Sequence, residues 1–222
     1  MKISKPLLFT LSSLLAASLA FTAPATQAAG YGYNSTNGAA LQASEAELLV
    51  FMREEEKLAR DVYLTLYKKW GLSIFQNIAS SEQQHTDRIK ALLQTYGLVD
   101  PVVANTVGVF TDATLANLYN QLVTQGKRSK MKALQVGALI EETDILDLQT
   151  AIASTQHQDI VNVYNNLMKG SRNHLRAFSS QIENRGTTYE AQVLSQEEVD
   201  AIIDSPQERG NANQRGGGRR NR

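Results

Sequence analysis

Acidic and imidazole side chains stand in the middle of long apolar stripes in this chain, and few folds accept that arrangement. Between Ser73 and Gly97, the residues Ile74, Ile78, Glu82, His85, Ile89 and Leu92 recur at steps of three and four, the period of a helix with one buried face. Glu82 and His85, three positions apart, leave such a helix from the same side. A buried ionised carboxylate opposes folding strongly unless a charge, a set of hydrogen bonds or a metal compensates it. The pattern therefore predicts a helical interior with a polar centre, and a partner for Glu82 inside it.

Three more long segments repeat the theme. A first helix is expected from Ser44, with Glu47 completing a capping box, to Trp70, where Gly71 stops it. Its inward stripe reads Leu48, Phe51 or Met52, Glu55, Leu58 or Ala59, Val62 and Leu66, with Glu54 and Glu56 falling to either side. The Ser73–Gly97 segment is the second helix. A third runs from Ser129 to Ser154 with Leu134, Ala138, Glu141, Ile145, Leu148 and Ile152 inward, and a fourth from Gln158 to Asn184 with Ile160, Val163 or Tyr164, Leu167, Ser171, His174 and Phe178 inward. Short helices are expected from Asp112 toward Gln125 and from Ser195 to Ile203, the latter opened by a Ser195/Glu198 capping box and followed by Pro206. The fold class is all-α. The connection over 98–128 is long enough to cross a bundle from end to end, which makes the second and third long helices parallel.

The two ends differ from this body. Lys2 and Lys5, the apolar run Leu7 to Phe21 and the small residues Ala25-Thr26-Gln27-Ala28 have the form of an export signal over residues 1–28, too short and too serine-interrupted for a membrane span. A flexible lead-in at 29–43, a folded body at 44–205 and a disordered basic tail at 206–222 complete the expected organisation, which places the protein in the periplasm or outside the cell. The full chain carries 22 basic and 22 acidic residues; without Lys2 and Lys5 the balance is 20 against 22, so the body has no polyanion-binding charge. There is no cysteine, which excludes disulfides and thiolate metal sites. The basic run Lys127–Lys132 reads as solvated surface, the Arg/Gly tail as a solubilising extension and His157 as a surface residue.

Glu55, Glu82, His85, Glu141 and His174 are thus the candidate site residues, one or two from each long helix. Three carboxylates and two imidazoles form a donor set suited to iron or manganese, with zinc also accommodated. The alternative is a metal-free polar network in which Arg60, Arg88, Arg172 or Arg176 neutralises the acids.

The stretches Glu54-Glu55-Glu56-Lys57-Leu58-Ala59-Arg60-Asp61-Val62-Tyr63, Ser81-Glu82-Gln83-Gln84-His85 and Gly170-Ser171-Arg172-Asn173-His174-Leu175-Arg176-Ala177-Phe178 resemble the prokaryotic family called domain of unknown function 2202, grouped with the ferritin-like superfamily. That resemblance implies a ferritin-like four-helix bundle with a long crossover between helices two and three. It also implies a site fed by a glutamate from each of two helices and a Glu-x-x-His from each of the others. By position, Glu55 and Glu141 are the single glutamates, Glu82 and His85 one pair, and His174 the second imidazole. Ser171 departs from the pattern, standing where the second pair would have its glutamate; Asp144, one turn beyond Glu141, is the carboxylate placed to lean toward the gap. The expected function is an exported metal-binding protein, with metal-dependent ferrous, oxygen or peroxide chemistry as its enzymatic form and a metal-free interaction module of the cell envelope as its alternative. A metal ion is the expected partner and a homodimer is left open; neither nucleic acid nor a stable membrane span after signal cleavage is expected.

Overall fold

Six helices and no strand make up residues 40–209, the part of the chain that the structure, a computed structural model, describes. The expected export signal, the lead-in up to residue 39 and the basic tail from residue 210 lie outside the described residues. The helices are α1 (Ala43–Trp70), α2 (Ser73–Thr95), α3 (Ala113–Gly126), α4 (Lys130–Ser154), α5 (Gln158–Glu183) and α6 (Gln196–Asp204). Side-chain caps fix several of their starts. Asp112 accepts from Thr114 N and Leu115 N, Ser129 from Lys132 N, and Ser195 closes a reciprocal box with Glu198. Gly71, at φ 65°, ends α1 in the left-handed conformation that glycine adopts without strain. The start of α1 differs from expectation. The acid that caps it is Glu45, bonded to Gln42 N, in place of Glu47 with Ser44, because Thr155 Oγ1 at 2.6 Å anchors Glu45 from the far end of the chain.

The four long helices pack in neighbouring pairs, α1 on α2, α4 on α5, α1 on α4 and α2 on α5. The Gly71 turn makes α1 and α2 antiparallel. Between α1 and α4, Glu45 meets Thr155 at one end while Tyr63 meets Gly137 and Glu141 toward the other, so this pair is also antiparallel. Helices α2 and α4 therefore point the same way, and the connection containing α3 makes the return journey. Helix α3 lies against α1 and α4, and α6 against α5. No helix among the described residues is long and apolar enough to cross a membrane.

The return segment is pinned by charges on α1. Lys57 donates to Thr106 O and Val109 O at 2.9 Å each and lies over the Phe110 ring; Asp61 accepts from Gly108 N, and Glu54 from Thr111 N and Asp112 N. With α2 on one side, α4 on another and this segment on a third, every residue of α1 from Met52 to Tyr63 is buried. His157, expected at the surface, is mostly covered: its ring packs edge-on against Tyr96, and its Nε2 lies 3.7 Å from the Glu45 carboxylate.

The apolar core falls into two clusters. One gathers Val62, Tyr63, Leu66, Phe75, Leu134 and Phe178, and the other Leu49, Met52, Ile89, Leu148, Tyr164 and Leu167. Between them lies a polar slab.

Candidate metal centre

Each of the four long helices contributes to that slab. Helix α1 supplies Glu56, α2 supplies Glu82 and His85, α4 supplies Glu141 and Asp144, and α5 supplies His174; all are buried. Glu82 is the hub. Its Oε2 lies 2.7 Å from His85 Nδ1 and its Oε1 2.8 Å from His174 Nδ1. The same nitrogens face a second acid each, His85 Nδ1 at 3.2 Å from Glu56 Oε2 and His174 Nδ1 at 3.3 Å from Glu141 Oε2. Two triads result, Glu56–Glu82–His85 and Glu82–Glu141–His174, each offering one ligand atom per residue with those atoms within 4.8 Å of one another.

Groups around the slab set its orientation. His174 Nε2 meets Ser81 Oγ at 3.0 Å, leaving Nδ1 turned inward, and Tyr63 OH donates to Glu141 Oε1 at 2.5 Å. Gly170 lies in mid-helix, where glycine is unfavourable, yet a Cβ there would come within 2.5 Å of His85 Nε2. The glycine makes room for the ring.

Hydrogen bonding does not satisfy this arrangement. An imidazole Nδ1 carries at most one hydrogen, so it cannot serve two carboxylates. Although close, Glu82 has no aligned donor on either oxygen, and Glu56 Oε1, Glu55 Oε2 and Asp144 Oδ2 are also buried without a partner. Other buried acids in the protein are fully served. Glu54 has two backbone N–H groups, Asp61 has Lys57, Arg60 and Gly108 N, and Glu142 has Tyr189 and the backbone of Gln192, Val193 and Leu194.

The acids and bases perturb each other strongly. Burial opposes charge on both imidazoles, but the carboxylates outweigh it: Glu82 and Glu141 raise His174 to about 10, and Glu82 and Glu56 raise His85 well above its ordinary value. Burial also pushes Glu82 upward, and the two histidines overcome that and hold it well below the usual carboxylate range. Glu56 is raised to about 7, by burial against the pull of His85. Burial, then the neighbouring acids Glu56, Glu141, Glu55 and Glu82, lift Asp144 well above its ordinary value. Five buried acids, Glu55, Glu56, Glu82, Glu141 and Asp144, thus face only two imidazoles.

Of the five residues expected from the sequence, Glu82, His85, Glu141 and His174 come together. Glu55 is turned aside toward Asp147, and Glu56 stands in the first triad instead. The inward register of α1 is Leu49, Met52, Glu56, Ala59, Tyr63 and Leu66, one residue on from the expected one at Leu48 and Glu55. This 3-4-3-4-3 spacing fits the sequence as well as the expected stripe does, and the packing of the helices selects it. Ser171 makes its bond to Leu167 O on its own helix, while Asp144 does lean into the slab. The arginines named above as alternative counter-charges are engaged elsewhere or exposed: Arg60 pairs with Asp61 and Gln83, and Arg172 and Arg176 with Glu208; Arg88 is exposed. Among the described residues, no lysine or arginine is bonded to any of the five acids.

Comparisons with known proteins cover the same body. The model of the uncharacterized protein domain DUF2202 matches residues 45–206. The uncharacterized protein MJ0754 of Methanocaldococcus jannaschii is 54% identical over 166 residues, which span 75% of this chain and 90% of that protein. The crystal structure of hypothetical protein MJ0754 superposes with a TM-score of 0.76 at 51% identity, covering 78% of this chain and 99% of the other.

Proposed function

The chain belongs to the DUF2202 family, and on that footing we propose that it is a ferritin-like metal-binding protein whose four long helices hold iron or manganese between them. Glu56 and His85 would hold one cation, Glu141 and His174 a second, with Glu82 shared between the two and Asp144 as the extra carboxylate where the family pattern meets Ser171. The observation that carries the reading is the set of buried, unpartnered carboxylate oxygens on Glu56, Glu82 and Asp144, beside two imidazoles, in a protein that supplies donors to the buried acids Glu54, Asp61 and Glu142. The donor set of hard oxygens and imidazole nitrogens suits these ions. Donor separations of 2.7–3.3 Å also fit, since ligands at about 2.1 Å on adjacent corners of an octahedron stand about 3 Å apart.

Bound iron or manganese would supply one-electron chemistry toward ferrous iron, oxygen or peroxide. The protein's own residues bind and orient. Ser81 fixes the His174 ring with Nδ1 inward, Tyr63 holds one oxygen of Glu141, and the two apolar clusters keep bulk water from the slab. Export directed by residues 1–28 belongs to the same proposal; the mass of the mature protein tests it.

Metal analysis of untagged protein tests binding. The parent should carry iron or manganese after anaerobic loading, and a Glu82→Gln, His85→Gln variant with unchanged circular dichroism should carry none. None in either would return the chain to the reading of a metal-free interaction module, and equal metal in both would refute Glu82 and His85 as its ligands. Admitting oxygen to the ferrous-loaded parent then separates an oxidase from a passive binder by the rate at which a ferric absorption band grows.

A further inference from the structure

Glu55 and Asp147 lie outside both triads, and nothing in the binding proposal uses them. They face each other carboxyl to carboxyl, Glu55 from α1 and Asp147 from α4. Neither Glu55 Oε2 nor Asp147 Oδ2 has a hydrogen-bond partner, and Glu55 is 95% buried. Two ionised carboxylates so placed repel, and either a shared proton or a cation relieves them.

Their position along α4 gives the pair a direction. Glu141, Asp144 and Asp147 follow at steps of three, each step rising about 4.5 Å and turning the row about 60° around the helix. The row passes from Glu141, with no exposure, through Asp144, at 3%, to the half-buried Asp147 at the edge of solvent. Asp144 interacts with Glu55 on the outer side and with Glu56, Glu141 and Glu82 on the inner side. Acidic side chains thus recur from the half-buried Asp147 inward to the slab. At the seam between α2 and α5, Ser81 and Gly170 lie against the His174 and His85 rings.

We propose that Asp147 and Glu55 form an outer cation station from which divalent metal passes by Asp144 to the inner triads. The station rests on the metal-binding reading above and adds the route to it. A cation arriving from water exchanges part of its hydration for carboxylate oxygens at Asp147 and Glu55, then for those of Asp144, so it is never stripped of oxygen ligands in the low-dielectric interior.

Loading kinetics test the route. Manganese(II) is transferred anaerobically from a fluorescent chelator to metal-free parent, Asp147→Asn and Asp147→Glu, in stopped flow, and the equilibrium stoichiometry is measured on the same samples. Asp147→Asn should load at least about tenfold more slowly at unchanged stoichiometry and affinity, Asp147→Glu should load near the parent rate, and the parent rate should fall with added salt. If the parent binds manganese and Asp147→Asn loads as fast, the route is wrong and the binding proposal stands. If Asp147→Asn loses stoichiometry or affinity, Asp147 is a ligand of the inner site and the station is likewise wrong. A parent that takes up neither manganese(II) nor, in the same anaerobic assay, ferrous iron overturns both readings.

Discussion

Replacing Glu56 by glutamine should make the metal-free protein more stable and the metal-loaded protein less so. In the metal-free state Glu56 titrates near 7 where an ordinary glutamate titrates near 4.5, so its ionisation opposes folding by about 3 kcal/mol above neutral pH. That value already includes the pull of His85, whose ring nitrogen faces the carboxylate at 3.2 Å, so glutamine removes the penalty as a whole. A gain of about 3 kcal/mol corresponds to a rise of roughly 6–12 °C in Tm for a folded body of this size. With metal present the balance inverts. The parent is stabilised by about 4.1 kcal/mol when free metal is a thousandfold above Kd, and the variant, lacking a ligand, loses most of this. Differential scanning calorimetry of both proteins, with chelator and with manganese, reads the four Tm values. A Glu56→Gln variant that melts lower than the parent in chelator, or that keeps the parent's full metal-induced shift, would refute the assignment of Glu56 as a ligand acid.

Above about pH 5, where the ionisation of Glu82 already contributes in full, the stability of the metal-free protein should fall as pH rises. The charge on His174 stabilises fully below its unfolded value of 6.5 and is lost through about 10, while the Glu56 penalty is absent below 4.5 and complete above about 7. Metal binding must displace these protons, so urea unfolding at a series of pH values should show the loaded and metal-free curves diverging from acid toward alkali; parallel curves would count against a shared site. Gly170→Ala, whose Cβ would meet His85 Nε2 at 2.5 Å, should weaken manganese binding by about tenfold or more in a chelator competition, with little loss of helix content. Glu54→Gln should leave metal binding intact but destabilise the protein by about 1–3 kcal/mol, because Thr111 N and Asp112 N lose a charged acceptor. Faster hydrogen exchange at those two amides is the accompanying observation.

Helix positions were largely legible in the sequence, because they depend on local chemistry. The caps at Asp112, Ser129 and Ser195 and the stop at Gly71 are each written within a few residues of where they act. Four of the slab residues were legible for a similar reason. Helix α2 is amphipathic, with a solvated face that shows which side is inward, and Glu82 and His85 sit on the other side. Helix α1 has no such contrast from Met52 to Tyr63. With every residue there buried, a stripe centred on Glu55 and one centred on Glu56 differ only in register.

The consecutive glutamates of α1 mark the boundary between the two levels of information. That this helix is acidic, that acids and imidazoles occur on inward stripes of four helices and that no thiolate can assist them follow from residue order alone. Their division of labour does not. Successive side chains leave a helix about 100° apart, so on an enclosed rod Glu54 reaches the backbone of the return segment, Glu55 reaches Asp147 on α4, and Glu56 reaches His85 on α2. Which direction holds which neighbour is a property of the packed helices, and only tertiary structure supplies it.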